Sequence, residues 1–130
     1  MGLDNGIMVK KTNKIAKFFN KKKYSYYDYD GVCEIEIAYW RKCWNIRNQI
    51  LNILDVTKDN DSHAEISIPK MKEIIRFLKS LNEKNWEDYG YSIWSWDEQK
   101  KSIKYQIKRL KRLLLIMKFY DVEVYFYDSW

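Results

Sequence analysis

The chain has 130 residues, of which 46% are apolar and 32% charged, enough for one hydrophobic core, too short for two, and too apolar for a disordered chain. Its formal net charge of +6 suggests an acidic partner, although a lysine excess also serves solubility. No apolar run approaches the ~18 residues of a membrane span, and the opening Met1-Gly2-Leu3-Asp4-Asn5 lacks the regions of a signal peptide, so a cytoplasmic protein with no membrane partner is expected.

Asn5 to Lys10 carries Ile7, Met8 and Val9 after a glycine and reads as a short strand. The lysine-rich stretch Lys10 to Lys23, around Phe18 and Phe19, reads as a loop or a short helix. Tyr24 to Gly31 alternates and closes on Asp30-Gly31, a strand and then a turn. Its Asp-x-Asp-Gly matches only a fragment of a calcium loop, because Tyr26 stands where the first ligand belongs. Glu34 to Leu54 reads as the first helix, with Tyr39, Cys43, Ile46, Ile50 and Ile53 at three- and four-residue steps.

A polar loop follows from Asp55 to Ser62, and Ala64 to Ile66 reads as a short strand. Ser67 and Pro69 signal the start of a second helix that carries Met71, Ile74, Ile75, Leu78 and Leu81 and ends near Asn82 to Asn85. Trp86 to Trp96 is aromatic and irregular, and Ser95-Trp96-Asp97-Glu98 then fits a capping box. The third helix runs to about Lys118 on an apolar face of Ile103, Ile107, Leu110, Leu114 and Met117. Val122 to Tyr127 is a β-branched and aromatic strand. These elements predict one α+β domain over 1–130, a small antiparallel sheet packed against three helices on one face. The first and last strands are expected to be neighbours, bringing Asp4 near Asp128-Ser129-Trp130.

Two cysteines, Cys33 and Cys43, and one histidine, His63, match no zinc spacing and make no disulfide scaffold. No metal and no cofactor is indicated. His63 is the sole candidate imidazole base, and its polar surroundings are explained by a solvated loop. The aromatic fraction is distinctive: six Trp, eleven Tyr and five Phe supply many flat surfaces for stacking.

On a helical projection of the first helix, Trp40, Trp44, Arg47 and Leu51 form a stripe flanking the apolar one, and Arg41, Asn45, Asn48 and Asn52 point further toward solvent. Two indoles beside a guanidinium suit a base and a phosphate, with the head of Arg47 expected to stay wet or meet an anion. The candidate ligand-binding set is Trp40, Arg41, Trp44 and Arg47 with Asp4 and Trp130.

The opening Met1-Gly2-Leu3-Asp4, the Tyr39-Trp40-Arg41-Lys42 motif with Ile46, and the terminal Ser129-Trp130 together resemble a family of small uncharacterised phage and prophage proteins. Arg47 stands where that family carries a histidine, and Asn5-Gly6-Ile7 where it has a methionine and an aromatic. The resemblance implies origin in a mobile element, an intracellular setting and an accessory role, and supplies no activity.

Three functions compete. The first is a phage or prophage accessory protein that binds an anionic, phosphorylated or nucleotide-like small molecule, such as a nucleotide signal of host antiviral defence that it would sequester. The second is an inhibitor that binds a host defence protein, with nucleic-acid binding as a variant, because the third helix carries Lys100, Lys101, Lys104, Lys108, Arg109, Lys111 and Arg112. A solvated face is the commoner meaning of such a charge run, and any nucleic-acid binding is expected to be weak and nonspecific. The third is an enzyme using carboxylates among Asp4, Asp28, Asp30, Glu34 and Glu36; no nucleophile elbow, Walker loop or dinucleotide motif accompanies them. The first reading is preferred, catalysis is disfavoured, and homo-oligomerisation is left open.

Overall fold

The computed structural model describes residues 3–56 and 63–129. Five strands and three helices follow one another as β1 (Asp4–Lys10), β2 (Ser25–Tyr29), β3 (Val32–Arg41), α1 (Trp44–Ile53), β4 (His63–Glu65), α2 (Ile68–Ser80), α3 (Trp96–Phe119) and β5 (Val124–Ser129). The strands form one antiparallel sheet in the order β2-β3-β1-β5-β4. As expected, the first and last strands pair, with Asp4 opposite Ser129. The lysine-rich stretch after β1 holds only a 3-10 turn at Ala16–Phe18.

Several local signals act as the sequence predicts. β2 and β3 are joined by Asp30-Gly31, both at positive φ (49° and 75°), the conformation of a two-residue turn whose twist matches that of the strands. The Ser67 hydroxyl accepts from the Lys70 amide at the start of α2. Ser95 and Glu98 exchange hydrogen bonds as a capping box at the start of α3, and each pair satisfies amides that have no partner within the helix.

The region from Glu34 to Leu54 corrects the sequence reading. Its first part is a strand, and the helix begins only at Trp44. Cys33-Glu34-Ile35-Glu36-Ile37 alternates with the period of two that a half-buried strand requires, and isoleucines suit a pleated surface. Ile35 and Ile37 are wholly buried. Lys42, at φ 55°, turns the chain from strand to helix, and its amide donates to the Leu3 carbonyl (2.6 Å). The Tyr39-Trp40-Arg41-Lys42 motif is therefore a strand end and a turn.

The core lies on one side of the sheet. Ile7, Val9, Ile35, Ile37, Val124 and Phe126 point into a cluster with Ile46 and Ile50 of α1, Met71, Ile74 and Leu78 of α2, and Ile103, Leu110 and Leu113 of α3. All three helices pack on this side, so among the described residues no helix covers the opposite face of the sheet.

Candidate functional site

The uncovered face owes its composition to strand alternation and one irregularity. Ile7 lies opposite Ala38 and Met8 opposite Glu36, so Ile37 is an extra residue on β3. Such a bulge shifts the side-chain alternation by one. Glu34 and Glu36 before it and Tyr39 after it consequently share the uncovered face, while Ile37 and Ala38 are both buried. The Arg109 guanidinium on α3 contacts the Ile37 carbonyl at the bulge (3.4 Å) and the Lys23 carbonyl (2.5 Å).

The result is a groove of about 600 Å³ lined by Asp4, Met8, Tyr27, Glu34, Glu36, Tyr39, His63, Tyr125, Tyr127 and Ser129. All come from strands. A second hollow shares Glu34, His63 and Tyr125 and extends the groove to Lys10 and Glu123, which pair at 2.7 Å. Gly6 lies against the ring of Tyr127, one of the groove's lining residues: a Cβ there would lie 2.4 Å from the Ala38 carbonyl oxygen and 2.9 Å from the Tyr127 ring. Only glycine lets that ring lie down on the backbone, the close approach a strand glycine often marks.

Hydrogen bonding orders the polar groups. The Tyr39 hydroxyl donates to Asp4 (2.5 Å), and the Tyr127 hydroxyl is placed toward Glu36 (3.4 Å). Burial, followed by the neighbouring carboxylates, pushes both phenols well above the ordinary tyrosine range, so both remain donors at neutral pH. Burial also raises the Glu36 carboxyl; the Tyr127 hydrogen bond and Arg109 oppose this, and Asp4 adds to it. Glu34 is 5% exposed. The His63 ring tilts against Tyr125 with centroids 5.4 Å apart. His63 is the one basic side chain among the lining residues, so a chain of net positive charge presents here a carboxylate-rich surface.

The sequence-predicted set is only partly assembled. Trp40 is 1% exposed and packs in the core. Arg47 is not the wet arginine expected: it is buried, and its Nε donates to Asp128 at 2.8 Å. Trp44 is half-buried with its ring 5.5 Å from the Arg47 guanidinium. Because β3 replaces the first half of the expected helix, Trp40 does not stand beside Trp44 and Arg47 on one helical stripe. Asn45, expected in solvent, is buried and donates to the Trp86 carbonyl (2.7 Å). Tyr39, expected in the core, faces the groove, whereas Arg41 is exposed as expected. Of the described members of that set, Asp4 alone lines the groove. Trp130 and the stretch Lys58 to Ser62 lie outside the described residues.

Of the carboxylates considered from sequence, Asp4, Glu34 and Glu36 meet in the groove and Asp28 and Asp30 do not. Tyr27, Tyr125 and Tyr127 were not anticipated, although alternation in Tyr125-Phe126-Tyr127 puts two rings on one face. Among the described residues no cluster of His, Cys, Asp and Glu could hold a metal ion, and no helix is long and apolar enough to cross a membrane. Compared with known protein families, curated proteins and solved structures, the chain matches none.

Proposed function

We propose that this is a small-ligand-binding protein whose ligand lies in the groove on the uncovered sheet face. The observation that carries the reading is the groove's lining, four tyrosines around three carboxylates on a face that none of the described helices covers. Its volume falls within the range of small-molecule sites, about 300–1,000 Å³, and flat walls with a few convergent polar groups are the usual means of orienting a ligand. Tyr39 and Tyr127 direct their protons to Asp4 and Glu36, which leaves carboxylate oxygens to accept from a ligand.

That chemistry favours a planar or cationic group bearing N–H donors. Of a nucleotide-like molecule, the groove would take the base and leave the phosphate toward solvent or toward exposed Arg41 at the end of β3. In the phage setting that the sequence resemblance suggests, such a protein would act by sequestering a signal nucleotide of host defence.

A thermal-shift screen with nucleosides, nucleotides, cyclic dinucleotides, ADP-ribose derivatives and polyamines tests the reading. A ligand at about a hundredfold its Kd adds about 2.7 kcal/mol, which for a domain of this size raises Tm by on the order of 10 °C. Tyr27→Ala should abolish the shift without lowering the ligand-free Tm, because Tyr27 is 45% exposed. Shifts from phosphate-bearing compounds alone, or shifts that survive Tyr27→Ala and Glu36→Gln together, would place binding elsewhere.

A further inference from the structure

The outward face of α3 is unlike the groove in charge and shape. Between Gln99 and Phe119 the sequence has eight cations, Lys100, Lys101, Lys104, Lys108, Arg109, Lys111, Arg112 and Lys118, and no acid. All but Arg109 are exposed. Lys100 pairs with Asp97 (3.1 Å); among the described residues no carboxylate pairs with the other six exposed cations. Lys79 at the end of α2 adds to them: its contact with Lys111, by hydrogen bonding and like-charge repulsion, pulls the Lys111 ammonium below the usual lysine range. Cations brought against one another without an acid destabilise the free protein slightly and favour an anion that bridges them.

Two flat rings lie in the same strip. Phe119 is 75% exposed and Tyr105 51%. Tyr105 is held by Arg109, whose guanidinium lies 4.2 and 4.6 Å from the ring centres of Tyr24 and Tyr105, donates to the Tyr105 hydroxyl at 2.8 Å and is itself anchored on the Ile37 and Lys23 carbonyls. One face of the Tyr105 ring therefore rests on a fixed cation while the side chain stays open to solvent. Leu115, 56% exposed, and Phe18 with Tyr120 flank Phe119 around a shallow apolar hollow.

We propose that the outward face of α3 binds single-stranded nucleic acid, its lysines and Arg112 meeting phosphates while Phe119 and Tyr105 offer rings to unpaired bases. A cationic track interleaved with aromatic rings is the combination by which strands are held without sequence preference. From Lys101 to Lys118 the helix rises roughly 25 Å, room for a few nucleotides. A closed duplex would use the charges but not the rings, so single strands should be preferred. The surface is separate from the groove, and neither reading depends on the other.

Fluorescence anisotropy of a labelled oligothymidylate of roughly 12 nucleotides, within the usual range of site sizes, tests the proposal on the full chain. With about four phosphates neutralised, affinity should fall roughly 50-fold between 50 and 200 mM salt. Lys104→Glu, Lys108→Glu and Lys111→Glu together should weaken binding at least about tenfold with Tm retained, since all three are exposed. Phe119→Ala should cost about fivefold or more, and Glu36→Gln nothing. Equal binding of polyglutamate or of duplex DNA, or undiminished binding by the triple variant or by Phe119→Ala, would overturn the proposal.

Discussion

The two faces of the sheet treat charged side chains in opposite ways. On the covered face, Asp128 of β5 is 1% exposed and meets the buried Arg47 of α1 at 2.8 Å, tying the last strand to the first helix. On the uncovered face, Asp4, Glu34 and Glu36 converge with tyrosines around a groove lined by no lysine or arginine; Lys10 lines only the adjoining hollow, where it pairs with Glu123. A buried carboxylate beside a guanidinium is accounted for by the fold, because each group requires the other once water is gone. A carboxylate raised by burial at the wall of an open groove is not, since folding alone would be served as well by a neutral side chain. The second arrangement is the kind that functional sites maintain against stability.

Removing one member of the buried pair should have the largest effect. Arg47→Ala leaves Asp128 charged and enclosed, a loss expected to be about 3–5 kcal/mol. Chemical denaturation should show it, and ligand affinity measured below the new transition should be unchanged. Near-parental stability would mean that the pair is not the anchor described here and that the two faces differ less than their geometry suggests. The sequence reading expected the reverse, a guanidinium facing a ligand, because a helical projection was carried back through residues that form β3.

Gly6→Ala probes the contact between the Tyr127 ring, which lines the groove, and the β1 backbone at Gly6. The added methyl would lie 2.4 Å from the Ala38 carbonyl oxygen, a backbone atom, and 2.9 Å from the Tyr127 ring. Relieving both requires the β1–β3 pairing to widen and the ring to lift, an overpacking cost of about 1–3 kcal/mol. The ligand found by the thermal-shift screen should also bind more weakly, because Tyr127 would leave its place over the strand. Loss of stability with intact binding would show that the Tyr127 ring is not part of the site.

The sequence disclosed those elements whose signals are local. The Asp30-Gly31 turn, the caps at Ser67 and Ser95, and the apolar stripe of α2 depend on neighbours a few residues apart and are where expected, whereas the stripe of α3 is rotated: Ile103 and Leu110 are buried as expected, but Gln106, Leu113 and Ile116 complete the buried face and Ile107, Leu114 and Met117 only flank it. Pairing of the first and last strands was also anticipated. The groove was less legible because it depends on non-local facts: the bulge at Ile37, which returns Tyr39 to the same face as Glu36, and the order of strands that sets Tyr27 and Tyr125 along one surface. The alternation Glu34-Ile35-Glu36-Ile37 was the available signal. It was masked by the helix spacing of Ile46, Ile50 and Ile53 continuing backwards through Cys43 and Tyr39.

Glu36→Gln should have the smallest effect on stability, and its sign distinguishes the two faces most directly. Burial raises the Glu36 carboxyl above its ordinary value, outweighing the Tyr127 hydrogen bond and Arg109. The folded chain therefore holds this proton more tightly than the unfolded chain, and the carboxylate detracts from stability as pH rises through the ordinary glutamate range and the raised folded value. Glutamine, neutral throughout, removes that dependence. Thermal melts from acid to pH 8 should show a slightly higher Tm for the variant above the folded pKa, with the difference shrinking toward zero in acid, where the parent carboxyl is protonated. Ligand binding should move the other way, weakened at neutral pH by loss of the charged acceptor, and approached by the parent as its own carboxyl protonates. A destabilised variant would mean that Glu36 is held by structural partners, as Asp128 is, and the contrast between an enclosed charge that supports the fold and an open one kept for a ligand would fail at its central residue.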